Sequence, residues 1–169
     1  EKITSLVKKE QKKILVGAIP RSGKTYIMAG TILKDSLKAP KGTFNNYIII
    51  TPAPNETLDQ YYEAFTDYYD FNDFNIRKIS ENWKLELTVD KNKHNVFLIS
   101  KQRLGFKKTE DTNTINTDSE FSYSSKAIEK IKENINKYSG DNKFRFIFFD
   151  EAHFGMTTSI AQDIFNELD

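Results

Sequence analysis

Ala18-Ile19-Pro20-Arg21-Ser22-Gly23-Lys24-Thr25 stands between a short apolar run and the first strong helical pattern of the chain. Ahead of it, Ile14-Leu15-Val16 reads as a buried strand. Behind it, Tyr26-Ile27-Met28-Ala29 and Ile32-Leu33 recur at helical spacing. The stretch is therefore strand, tight loop, helix, the context in which Gly-Lys-Thr signals phosphate binding. A loop ahead of a helix N-terminus aims several backbone N–H groups at one place, and the helix dipole adds partial positive charge there. Gly23 lets the main chain approach a phosphate closely. The Lys24 ammonium can reach β- and γ-phosphate oxygens, and the Thr25 hydroxyl can ligate Mg²⁺. Ala18 stands where the strict phosphate-loop pattern has glycine, so the chain fits the form that admits either residue. A helix-capping turn is the competing reading of these residues.

Outward from this loop, strands and helices alternate. The helix is expected to run to about Leu37, ended by Lys38-Ala39-Pro40-Lys41-Gly42. Tyr47-Ile48-Ile49-Ile50 reads as a strand buried on both faces. Asn55 is placed to cap a helix carrying Leu58, Tyr61, Tyr62, Phe65 and Tyr69. Phe74 to Ile79 and Trp83 to Val89 alternate as strands do, and Val96-Phe97-Leu98-Ile99 is a further buried strand. Residues 107–122 are polar and read as a surface insertion. A helix is expected from about Ser124, a strand from Phe144 to Phe149, and a last helix over 159–168. Continuous apolar strands alternating with amphipathic helices imply an α/β fold, a mostly parallel sheet with helices on both faces. Ligands of such sheets bind beyond the carboxyl ends of the strands.

Composition fits one soluble globular unit. In 169 residues, 38% are hydrophobic and 29% charged, with a net charge of +1, so no overall field announces nucleic acid. The chain has no cysteine, which excludes disulfides, thiolate metal sites and cysteine nucleophiles. No apolar run approaches the roughly 20 residues that span a bilayer, and no signal-peptide core is present. No membrane partner and an intracellular setting are the expectation. The start at Glu1 and the end within a helical pattern suggest a piece of a longer protein.

Asp150-Glu151-Ala152-His153 leaves the last strong strand directly. A nucleoside triphosphate with Mg²⁺ needs one carboxylate for the metal, and hydrolysis needs another to orient or deprotonate water. Adjacent acids at a strand end can do both. Read alone, Asp150 could equally cap the final helix. With a phosphate loop upstream in the same sheet, the nucleotide reading is the stronger.

Ala18-x-x-x-x-Gly23-Lys24-Thr25 with Asp150-Glu151-Ala152-His153 resembles motifs I and II of superfamily-2 helicases and translocases, in the DEAH-type and restriction-enzyme-motor branch. Ile48-Ile49-Ile50-Thr51-Pro52-Ala53 is similar to motif Ia, and Val96 to Ser100 with Gln102-Arg103-Leu104 is similar to the motif Ib region. The resemblance spans nearly the whole chain, residues 1–169 as a single domain. It implies a P-loop NTPase (RecA-like) domain that binds ATP and Mg²⁺ and acts on DNA or RNA. A second RecA-like domain of the same longer chain would supply arginine fingers. By position, Lys24 would hold the β- and γ-phosphates, Thr25 and Asp150 the Mg²⁺, and Glu151 would be the catalytic base. Ala18, Arg21, Ser22 and Gly23 would complete the nucleotide loop, with His153 beside it. Thr51, Pro52, Lys101 and Arg103 would border the nucleic acid. Arg21 occupies a place where the family usually has glycine.

Rival classes have less support. A GTPase needs Asn-Lys-x-Asp, and Asn92-Lys93-His94-Asn95 lacks the aspartate. A small-molecule kinase rarely pairs its loop with Asp-Glu-Ala-His. Two further readings stay open: a non-catalytic nucleic-acid-binding scaffold that keeps the fold, and the motor subunit of a restriction-type nuclease. The aromatic residues, 13% of the chain, sit mostly at helix or strand spacing, as Tyr61, Tyr62 and Phe65 do, and read as core.

Overall fold

The computed structural model describes residues 22–51, 56–79, 89–100, 133 and 144–150. Helix α1 spans Lys24–Ser36, strand β1 Asn46–Thr51, helix α2 Glu56–Thr66, strand β2 Phe74–Ile79, strand β3 His94–Ser100 and strand β4 Phe146–Phe149. A short 3₁₀ turn at Tyr69–Phe71 leads from α2 into β2.

The four strands form one sheet in the order β2-β3-β1-β4, and every pairing is parallel. β1 is in register with β3 from Asn46↔Asn95 to Thr51↔Ser100, and with β4 from Tyr47↔Phe146 to Ile50↔Phe149. Because all strands run the same way, their carboxyl ends share one edge.

Pleating explains the two apolar layers. Tyr47, Ile49, Val96 and Leu98 share one face and pack with Ala29 and Ile32 of α1 and Leu58, Tyr61 and Phe65 of α2. Ile48, Ile50, Phe97 and Ile99 alternate with them onto the other face and are equally buried. All six residues of β1 are buried, as its continuous β-branched run predicts. Among the described residues both helices lie on the first face. The α/β class and the parallel sheet are as expected.

Polar groups pin the amino edge. Asn75 Nδ2 donates to Asn95 Oδ1 at 2.7 Å, and Asn95 Nδ2 donates to Asn46 Oδ1 at 3.0 Å, a buried amide chain across three strands. Asp35, near the C-terminus of α1, accepts from Tyr47 Oη at 3.0 Å, from Asn45 Nδ2 at 3.1 Å and from Arg145 Nε at 3.2 Å. A carboxylate near a helix C-terminus opposes the dipole, and Arg145 offsets that charge. Burial first, then Asp35, push the Tyr47 phenol above its ordinary range, partly offset by the hydrogen bond from Asn45.

Two expectations are corrected. Tyr62 and Tyr69 do not join the core: they are 37% and 86% exposed. α2 ends at Thr66, so the helical period that would bring Tyr69 onto the buried stripe is broken by the 3₁₀ turn, which buries Phe71 instead. The last strand begins at Phe146, two residues later than Phe144. The strand expected at 14–16, that expected over 83–89 apart from Val89, which is not in a strand, the insertion at 107–122 and the helix over 159–168 lie outside the described residues, as does the helix from Ser124 apart from Glu133, which is helical.

Candidate nucleotide site

The site forms where α1 begins above the carboxyl edge of the sheet. Gly23 is the N-cap of α1 with φ 78° and ψ 35°, a left-handed conformation that glycine adopts without strain. Its cap carries no side-chain hydrogen bond, and no acidic residue stands in the first turn. Neither the cap residue nor the first turn thus brings a carboxylate of its own to the N–H groups and dipole at this helix start, which suits an external anion. Ile27 N–H donates to Gly23 O at 3.1 Å and closes the first helical turn.

β4 delivers the opposing charge. Asp150 follows Phe149 directly, and its N–H donates to Ile50 O at 2.9 Å, so the ladder with β1 continues one residue past the strand. Its carboxylate is only 8% exposed and lies 3.6 Å from Lys24 Nζ, which is 25% exposed. Residues 126 positions apart in sequence thus meet as an ion pair at the sheet edge. The donor set fits the ligand that the sequence implied. An ammonium at a helix start can take phosphate oxygens, and the adjacent carboxylate can take a hard cation with oxygen ligands. Thr25, half-buried on the same turn, supplies a hydroxyl of the kind that ligates Mg²⁺.

Thr51 and Ser100 extend this edge. They face each other in register at the ends of β1 and β3, at 1% and 0% exposure. Ser100 Oγ is buried with no hydrogen-bond partner among the described residues. Its burial at the sheet edge had no signal in the sequence, because only strand register sets it beside Thr51. Ser22 is exposed just before the cap. Of the remaining candidates, Ala18, Arg21, Pro52, Lys101, Arg103, Glu151 and His153 lie outside the described residues.

A parallel sheet with a left-handed glycine cap, a lysine at the helix start and a strand-end aspartate beside it defines a RecA-like P-loop ATPase domain. The sequence model of the family described as type III restriction enzyme, res subunit, matches residues 1–169. The chain belongs to that family, whose domain is helicase-like and of the superfamily-2 ATPase type. It is thus an ATPase motor domain of the helicase and restriction-enzyme kind. No curated protein and no solved structure matches it. No helix among the described residues is long and apolar enough to cross a membrane.

Proposed function

We propose that this domain binds ATP with Mg²⁺ and couples its hydrolysis to movement on DNA or RNA, as the first of two RecA-like domains in a longer protein. The observation that carries the reading is the meeting of Lys24 with Asp150 in front of a glycine-capped helix start. Lys24 would neutralise β- and γ-phosphate oxygens, while Thr25 and Asp150 would hold the cation that bound Mg²⁺-ATP brings. Glu151, next to Asp150, would orient and deprotonate the attacking water, and His153 would lie at the nucleotide, in the DEAH-type manner. Ala18, Arg21, Ser22 and Gly23 would form the rest of the loop.

In the same reading, Thr51 and Pro52, with Lys101 and Arg103, border the nucleic-acid track. Phosphate contacts of this kind position a strand without reading its bases. Arginine fingers in phosphoryl transfer are worth roughly 10³–10⁵ in rate, so this domain alone would turn over slowly.

The family match favours one variety of motor, a subunit that drives a restriction-type nuclease. A scaffold that merely keeps the fold would have no need for a buried aspartate aimed at the phosphate-loop lysine. The test is ATP hydrolysis by the full-length protein with and without single- and double-stranded DNA and RNA. Stimulation by one nucleic acid, lost in Lys24→Ala, is the expected result. Hydrolysis indifferent to every nucleic acid would end the motor reading, and none at all would favour the scaffold.

A further inference from the structure

Tyr26 sits one residue after Thr25 and is 63% exposed, an unusual placement for a large ring beside a phosphate loop. Side chains on an α-helix lean toward its N-terminus, so a ring at this position covers the turn before its own Cα. That is where it lies: a Cβ built on Gly23 would stand 3.3 Å from Tyr26 Cδ2. The ring is therefore laid against the left-handed glycine that shapes the loop.

It is also held in place. Tyr68, which follows α2 in the chain, packs edge-on to Tyr26 with ring centroids 5.7 Å apart and planes at 69°. The Tyr26 side chain is also the main reason the Tyr68 phenol is raised above its ordinary value. A T-shaped neighbour restrains a ring and covers at most one of its two faces. By contrast, the exposed ring of Tyr62 already has Lys78 Nζ above it, 5.7 Å from its centroid.

We propose that Tyr26, braced by Tyr68, is the platform on which the base of the bound nucleoside triphosphate stacks. The inference rests on the nucleotide reading of the Lys24 and Asp150 site. The phosphates anchored at Lys24 leave the nucleoside to extend past the first turn of α1, and the Tyr26 ring is the large exposed apolar surface of that turn. Ile27, the next residue, is 37% exposed and aliphatic. Stacking uses a π-face that every base has, so the platform favours nucleotides over bare phosphate chains without choosing strongly among bases. A ring immobilised beforehand by its neighbour loses little freedom on binding.

The test compares dissociation constants of Mg²⁺-ATP, Mg²⁺-GTP and Mg²⁺-tripolyphosphate for full-length wild type, Tyr26→Ala, Tyr26→Phe and Lys24→Ala. Tyr26→Ala is expected to weaken both nucleotides about tenfold and leave tripolyphosphate unchanged. Tyr26→Phe, which keeps the ring, should bind within about twofold of wild type. In a Tyr26→Trp variant, ATP should quench the new indole and tripolyphosphate should not. Equal weakening of tripolyphosphate by Tyr26→Ala would overturn the proposal in favour of a loop-shaping role. Unchanged nucleotide binding in Tyr26→Ala, with binding lost in Lys24→Ala, would overturn it and leave the ATP site standing. Wild type that binds neither ATP nor tripolyphosphate would overturn both.

Discussion

Gly23 joins the backbone argument to the site, and replacing it with alanine gives a measurable outcome. At φ 78° an L side chain brings its Cβ against the backbone, at roughly 1–2 kcal/mol. The new methyl would also stand 3.3 Å from Tyr26 Cδ2, closer than a relaxed contact, but the ring is 63% exposed and can yield by a few tenths of an ångström. Backbone strain is therefore the main part of the cost. For a domain of this length, about 1–2 kcal/mol lowers the melting temperature by roughly 2–8 °C. The same strain is relieved if the loop abandons its left-handed turn, which swings the helix start and Lys24 away from Asp150. Gly23→Ala is thus expected to lose both stability and ATP affinity. Gly23→Asn, whose side chain tolerates the left-handed region, should lose less of each. Thermal melting and nucleotide titration of the two variants decide it. Equal losses in Ala and Asn, or no loss in Ala, would refute the backbone reasoning.

Two further outcomes follow from the amino edge of the sheet. His94 Nδ1 accepts a hydrogen bond from Asn45 N–H at 3.0 Å, and burial lowers the His94 pKa, with Asp35 opposing. The unfolded chain then binds more protons near its ordinary value of about 6.5, so this contribution to stability is present above that pH and is lost as pH falls through the lowered folded value. Urea unfolding at pH 7.5 and 5.5 should show a smaller loss in His94→Phe than in wild type, and an equal loss would remove the assignment. Asn95→Ala leaves Asn75 Nδ2, Asn46 Oδ1 and the Asp90 N–H without the partner they share. It should cost about 2–4 kcal/mol in urea unfolding, and a cost below about 1 kcal/mol would mean the amide chain contributes little.

Much of this architecture is legible in the sequence because the apolar runs are unambiguous. Ile48-Ile49-Ile50 and Val96-Phe97-Leu98-Ile99 have no polar face, and a strand of that kind fits only a sheet covered on both sides. Leu58, Tyr61 and Phe65 fall on the buried stripe that their spacing defines. The exposed Tyr62 and Tyr69 show the limit of periodicity, which gives an angle around a helix and neither the width of the covering layer nor where the helix stops. At the site, Gly23, Lys24 and Asp150 could be named because each type has a chemical reason to follow its strand or loop. Their meeting across the sheet edge needed the strand order, which the sequence does not encode locally. The asparagine chain and the Asp35, Tyr47 and Arg145 cluster depend on register in the same way. Tyr26 was legible as a helical residue, while its exposure and its brace came only with the tertiary packing of Tyr68.

If Lys24 and Asp150 are two halves of one Mg²⁺-nucleotide site, as proposed, ATP affinity measured with and without Mg²⁺ shows it most directly. Lys24→Ala should lose most ATP binding under both conditions. Asp150→Asn should lose the gain that Mg²⁺ confers while binding metal-free ATP as well as wild type or better, because the carboxylate that now holds Lys24 at 3.6 Å is gone. An Asp150→Asn protein that keeps the full Mg²⁺ gain would contradict the account.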